Sequence, residues 1–416
     1  MKAIRLILLS GVFGFVFNTC IEPFTPEIDE ENQFIVINAV VTDEEGYQYA
    51  EISKTSSYNN REYNPLNNCK AKIIDNKGNE FEMENYGNGK YKTWIEKQYL
   101  QTGDQFKIEV VLDNGNGKKY ESEFDTLLLC PEIDSIYFEY QDIIPDDPIM
   151  YTKKGIQFYI DFDASGSYAN NYRWKSIETW EYHSIDYIYA VFFGVRPNCY
   201  NYSVLVNGIT YNIERCGLDT SKKFLEPPVI DSLFRCWKTA KLEEIFTYTL
   251  RQKKDKKVIG LPINLVTNED DRLTVKYSIL VKQLTISDLA FKYWDHLQSQ
   301  SHETGGLYET QPYELEGNIK CIDNENETVI GIFSASSVKT KRCTGTFSFD
   351  RNYQNCNRIL YNWEELNAIL TGEEMPKKLP MYLMPTINNN EPVEYIDQSC
   401  LDCRLRGGTT TEPDYW

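Results

Sequence analysis

The sequence predicts a mainly β protein. An N-terminal immunoglobulin-like or transthyretin-like β-sandwich spans residues 33–127, and a larger β-rich domain with one or two helices spans 128–416. Three observations carry this expectation. Short runs of alternating apolar and polar residues recur between turn residues in the first third of the chain. Tyrosine is abundant at 30 residues, with 20 Phe and 7 Trp, and aromatic side chains suit a pleated, half-buried surface. Helical apolar spacing is sustained in only one long segment. At 416 residues the chain can build two or three domains with real cores.

The N-terminus comes first. Lys2 and Arg5 precede a mostly apolar run from Leu6 to Phe17. About a dozen residues match a signal-peptide h-region and fall short of the roughly 20 needed to cross a bilayer. Thr19-Cys20 closes the run, so residues 1–19 read as a lipoprotein signal peptide and Cys20 as the lipidated first residue of the mature chain. Phe17 and Asn18 stand where such signals usually carry Leu and a small residue, and an ordinary secretory signal with an incidental Cys is the competing reading. Several acyl chains on Cys20 would anchor stably, at about 0.8 kcal/mol per buried CH₂. Pro23, Pro26, Glu27, Asp29, Glu30 and Glu31 make residues 20–32 an acidic tether, because proline and charge both resist helix formation and burial.

Strands follow in regular order at 34–42, 49–57, 69–75, 79–85, 87–94, 104–112 and 119–126. Asn76-Lys77-Gly78 reads as a hairpin turn, and "DNGNGK" as another. The second region offers strands at 155–164, 172–183, 202–208, 209–214, 272–285 and 327–338, joined by long polar connections at 145–152 and 217–235. The convincing helix spans 286–301. Thr285 is placed to N-cap it, Asp288 lies three residues on, and Leu284 and Leu289 are placed as a hydrophobic staple. Ile286, Leu289, Ala290, Tyr293 and Leu297 share one face, read as core packing. A second short helix is expected at 362–370.

The net charge of −19 argues against a nucleic-acid partner, since phosphate binding needs a basic face. The histidines are His183, His296 and His302, and none stands four residues from another on a helix. No nucleophile-elbow, zinc-protease, P-loop or dinucleotide motif is present, so no catalytic residue, cofactor or metal is expected. Ser334–Ser337 lies on an apolar strand with no evident base. "NEDD" (268–271) and "DNENE" (323–327) carry oxygen ligands without EF-hand spacing and read as solvated loops.

Of eleven cysteines, ten remain once Cys20 is set aside, an even number in an exported chain. The disulfide candidates are Cys343, Cys356, Cys400, Cys403, Cys199, Cys216 and Cys236. The first four could also hold zinc by spacing, but export and the even count favour disulfides. The closing segment is expected to be clamped, with at least one of Cys400 and Cys403 bonded to Cys343 or Cys356. A short Cys400–Cys403 bridge is the alternative.

The segments "CIEPFTPEIDEENQFIVINAVVTDE", "YWDHLQSQSHETGGLYETQPYELEGNI", "VIGIFSASSV" and "CLDCRLRGGTTTEPDYW" resemble the Bacteroidota outer-membrane lipoproteins catalogued as domain of unknown function 4249. The acids behind Cys20 also resemble the surface-export signal of such lipoproteins. The resemblance implies a cell-surface protein held in the outer membrane by lipid on Cys20. It further implies an accessory role beside a TonB-dependent transporter, and it supplies no active site. The leading expectation is therefore a non-enzymatic subunit that captures or gates a ligand for such a transporter. A stand-alone adhesin or envelope-structure lipoprotein is the alternative, and a surface hydrolase a distant third.

Overall fold

The computed structural model describes residues 33–56, 62–113, 117–144, 152–166, 169–185, 190–192, 195–196, 199–206, 209–215, 233–302, 317–349, 358–361, 364, 368, 381–384, 393–396 and 398–416. Cys20, its tether and most of the expected helix at 362–370 lie outside them. No helix among the described residues is long and apolar enough to cross a membrane.

The first nine strands are β1 (Ile35–Thr42), β2 (Gly46–Lys54), β3 (Asn64–Pro65), β4 (Cys69–Asp75), β5 (Glu80–Gly87), β6 (Lys90–Ile95), β7 (Gln105–Leu112), β8 (Lys119–Ser122) and β9 (Asp125–Thr126). Strict alternation makes each of the longer strands two-faced. In β1, Ile35, Ile37, Ala39 and Val41 turn inward, and in β7, Phe106, Ile108, Val110 and Leu112 do. They meet Ile52, Ile73 and Tyr91 in one core. The Tyr91 phenol is paired inside that core: it donates to the Leu66 carbonyl at 2.8 Å and accepts from the Cys69 amide at 3.0 Å.

The expected two-sheet sandwich is instead a single 11-stranded, nearly closed, barrel-like sheet. Two of its strands come from far downstream: β21 (Ile319–Cys321) pairs β8, and β22 (Val329–Ser336) pairs β1 in parallel, Ile35 opposite Val329 through Thr42 opposite Ser336. The division expected at residue 127 thus leaves out two strands of the same body. Side chains finish the closure. Asn318 imitates a strand neighbour, donating to the Phe333 carbonyl at 2.8 Å and accepting from its amide at 2.9 Å. Buried Asp125 accepts from the Ala335 amide at 3.0 Å, and the Tyr120 phenol donates to Glu327 at 2.6 Å.

The intervening chain supplies β10 (Ile133–Ile143), β11 (Lys153–Asp163), β12 (Asn171–His183), β13 (Ala190–Phe192), β14 (Val195–Arg196), β15 (Cys199–Val206), β16 (Ile209–Arg215), β17 (Arg235–Lys241), β18 (Phe246–Thr249), β19 (Lys257–Thr267) and β20 (Lys276–Ile286). Helix α1 (Asp288–His302) precedes β21, and β23 (Val338–Thr346), β24 (Arg358–Tyr361), β25 (Met381–Met384) and β26 (Val393–Ile396) follow β22. A three-stranded sheet β10-β11-β19 packs against a five-stranded sheet in the order β17-β12-β20-β23, with β18 also on β12. Their shared core is aromatic: Phe158, Phe162, Tyr172, Trp174 and Tyr277. Two small ladders, β14-β15-β16 and β13-β25-β26-β24, complete the strands. Ser337 is the joint between the bodies. The expected strand at 327–338 ends at Ser336 in the barrel, and Val338 opens β23 of the second sheet.

Helix α1 starts later than expected. Thr285 and Ile286 remain in β20, opposite Tyr172 and Asn171, and the Thr285 hydroxyl donates to the Leu128 carbonyl at 2.8 Å. Ser287 takes over the cap, its Oγ accepting from the Ala290 amide at 3.3 Å. Ile286, Ala290 and Tyr293 then pack with Ile332 of the barrel. Full strand pairing with β12 outweighs two more residues of helix.

The C-terminus is tied down, with Cys403 bonded to neither Cys343 nor Cys356. Cys403, in a short 3₁₀ turn (Cys403–Arg406), is bonded to Cys236 of β17, with Cα atoms 5.8 Å apart. Cys343 is a free thiol on β23, the opposite edge strand. The sequence pointed to Cys343 or Cys356 as partner, but the tail following Cys403 lies along β17, where Trp237 and Thr409 exchange two backbone hydrogen bonds of 2.8 Å. Cys400, near the end of a four-residue helix α2 (Gln398–Leu401), is also disulfide-bonded, to neither Cys343 nor Cys403. Cys69, Cys130 and Cys321, which are not among the disulfide candidates, are free as well. The last residues return over the outer face of the sheet. The Tyr415 hydroxyl shares a 2.8 Å hydrogen bond with that of Thr179, and the Trp416 indole donates to Glu181 at 3.1 Å. Tyr415 stays 47% exposed, so it is held by polar contacts and not sealed in a core.

Glu181 makes this contact acid-sensitive. Burial pushes its carboxyl up, but hydrogen bonds from Arg235, His183 and Trp416 outweigh burial and hold it below the usual carboxylate range. A depressed folded-state pKa stabilises above the unfolded value, and the effect is lost as pH falls through the folded one. Hydrogen exchange of residues 409–416 is therefore expected to speed up on acidification, and Glu181→Gln to remove that dependence. Acid-insensitive protection of these residues in the unmutated protein would contradict it.

Candidate functional site

The barrel displays an aromatic face. On β2, Gln48, Ala50 and Ile52 turn inward, so Tyr47, Tyr49 and Glu51 turn out. On β6, Tyr91, Thr93 and Ile95 turn inward, so Lys90, Lys92 and Trp94 turn out. The register sets Tyr47 opposite Trp94 and Tyr49 opposite Lys92. Tyr86 joins from β5 just before the tight Gly87-Asn88-Gly89 turn. That turn needs Gly89, which sits at φ +71°, accepts from the Ile52 amide on its carbonyl at 2.8 Å and leaves no room for a Cβ against β2. Tyr63 completes the face, its phenol donating to Glu51 at 2.7 Å.

These rings are exposed by 43% (Tyr47) to 52% (Trp94). Tyr47 and Trp94 meet edge to face with centroids 5.2 Å apart, and Tyr49 and Tyr86 at 6.2 Å. The Lys92 ammonium lies 4.4 Å from the Tyr47 centroid and 5.7 Å from that of Tyr86, and pairs with Glu84 at 3.5 Å. Desolvation and the Glu51 hydrogen bond raise the Tyr63 pKa above the usual phenol value, so it remains a donor at neutral pH. The arrangement offers ring edges and faces, with a few fixed charges, to an incoming surface. It holds no nucleophile–base pair. Contiguous exposed aromatic area of this kind is uncommon on a face with no partner.

The residues singled out from sequence do not converge on this face. Cys20, Cys216 and Cys356 lie outside the described residues, as does the side chain of Cys199. Cys236 and Cys403 form the clamp, Cys400 is bonded nearby, and Cys343 packs against the aromatic core. Ser334, Ser336 and Ser337 are buried at the barrel joint, and the hydroxyls of Ser336 and Ser337 meet no hydrogen-bond partner, hence no base. His183 bonds Glu181 at 3.0 Å, and His296 is exposed on α1. The two acidic loops are taken up by ion pairs: Asp270 with Arg272, Asp271 with Arg406, and Glu327 with Lys118. Among the described residues no three His, Cys, Asp or Glu side chains cluster as a metal site.

Sequence reasoning did not single out Tyr47, Tyr49, Tyr86 and Trp94. The signal was available: in strands that alternate cleanly, Tyr47, Tyr49 and Trp94 fall in phase with Glu51, Lys90 and Lys92, not with the core.

Fold and surface together define a class: a β-rich protein with a barrel-like body completed by late strands, whose conspicuous chemistry lies on an exposed aromatic sheet face. The chain belongs to the family described as domain of unknown function (DUF4249), which matches residues 21–342. No curated protein matches the chain.

Proposed function

We propose that this is a lipid-anchored, non-enzymatic protein of the outer membrane, displayed on the cell surface. In this reading it docks on a TonB-dependent transporter through the aromatic face of its barrel and captures or gates ligand for it. The observation that carries the reading is that face and its position. It occupies β2, β5 and β6, with β2 beside β1, the strand that the N-terminal tether enters. Fully extended, residues 20–32 reach about 45 Å, so a lipid on Cys20 keeps the face within reach of a membrane-embedded partner. Tethering raises the effective concentration enough for a modest interface to be occupied, and Tyr and Trp are the residues that dominate such interfaces.

The test is co-purification from membranes solubilised in mild detergent. The unmutated protein is expected to bring a TonB-dependent transporter with it. Cys20→Ser is expected to leave the membrane fraction altogether. The double change Tyr47→Ser, Trp94→Ser is expected to stay in the membrane and lose the transporter by about tenfold or more. Recovery of no transporter, or undiminished recovery with the double variant, defeats the docking reading. Full membrane retention of Cys20→Ser defeats the anchor.

A further inference from the structure

The outward face of the five-stranded sheet gathers cations. On β12, Arg173 and Lys175 point away from the core that Tyr172 and Trp174 enter. Lys175 stands directly opposite Lys282 of β20. Ile177, next on the same face, stands opposite Lys241 of β17. Helix α1 covers one end, where the Arg173 guanidinium lies 3.4 Å from the centroid of the Trp294 ring. Tyr415 and Trp416 cover the other end through Thr179 and Glu181. Lys175 and Ile177 lie between these two covers.

The cluster is poorly matched by acids. The chain carries a net charge of −19, yet Arg173, Lys175 and Lys241 make no ion pair among the described residues. Glu44 reaches Lys282 at 3.7 Å, and Glu243 is the carboxylate that acts on Lys175. Like charges set directly opposite on a sheet destabilise it, so Lys175 facing Lys282 costs folding energy. Two donors are also left over: Arg173 Nε and the Trp294 indole nitrogen are buried with no hydrogen-bond partner. Buried orphan donors are rare in folded proteins. Lys175 reaches solvent, while enough protein surrounds its ammonium that burial first, then Arg173, Lys241 and Lys282, bring its pKa down to about 8. Cations set side by side with few acids call for an acceptor-only group with several oxygens.

We propose that this face binds a tetrahedral oxyanion, phosphate or sulfate, with Arg173 and Lys175 as its main donors and Lys241 and Lys282 completing the field. This site is on a different body from the aromatic face and stands whether or not that face docks a transporter.

Thermal unfolding of the full chain tests it, with inorganic phosphate or sulfate against chloride at equal ionic strength. Either oxyanion is expected to raise the melting temperature saturably. Lys175→Met is expected to melt higher than the unmutated protein in chloride, because a repulsion is gone, and to bind phosphate at least about tenfold more weakly. Lys282→Met should show the same pair of changes and keeps the test open if the first variant folds poorly. A second arm measures retention on phosphatidylcholine vesicles with and without equal parts of phosphatidylglycerol. Retention that needs the anionic lipid and Lys175 assigns the oxyanion to a headgroup, and a response to the free ions alone assigns it to a soluble ligand. No response in either arm, or the same response in Lys175→Met (an adventitious ion only), overturns the proposal.

Discussion

Gly331→Val is expected to open the barrel. Gly331 sits in β22 at φ +119°, directly opposite Ile37 of β1 in the parallel ladder. A side chain there would fall within the contact distance of the Ile37 carbonyl oxygen, and the Gly331 carbonyl is itself pressed against Gly317. Backbone meets backbone on both sides, so no flexible side chain can give way. The positive φ adds strain for any residue with a branched Cβ. Valine must therefore push β22 away from β1 and forfeit contacts of fully buried Ile37 and Phe333. The expected loss is about 4 kcal/mol or more. Hydrogen exchange should locate it: protection falls in 35–42 and 329–336 first, and less in β12 and β20. A valine variant melting with the unmutated protein would refute this account of closure.

The second large effect concerns the clamp. Cys236 and Cys403 are separated by 167 residues, and both are buried. Closing so long a loop stabilises by about 5 kcal/mol in the chain-entropy model, and measured disulfides often deliver less. Cys236→Ser is expected to lower the melting temperature and free residues 403–416 to rapid exchange and proteolysis. Further bonds resist that release: Tyr182 donates to the Cys403 carbonyl at 2.7 Å, and Arg406 pairs with Asp271. Cys343→Ser is the matched control and should leave both readouts unchanged, since that thiol is free. Equal behaviour of the two variants would place the stabilisation elsewhere.

Sequence by itself determined the local β character of this protein. Period-two alternation located β1, β2, β4, β5, β6 and β7, because one wet face and one dry face leave a direct mark on neighbouring residues. It also marked the helical segment, missing its start by two residues. The family was legible from four segments spread along the chain. Only the tertiary structure decided which strands share a sheet. β22 pairs with β1 across almost 300 residues of chain, a choice fixed by buried backbone donors and by the space left at Gly331, neither of which has a sequence period. The same holds for the clamp, where the edge strand that the tail reaches, not cysteine spacing, selects Cys236 over Cys343. It holds too for the candidate surfaces. Tyr47 and Trp94, like Lys175 and Lys282, are 47 and 107 positions apart along the chain and become neighbours through register alone.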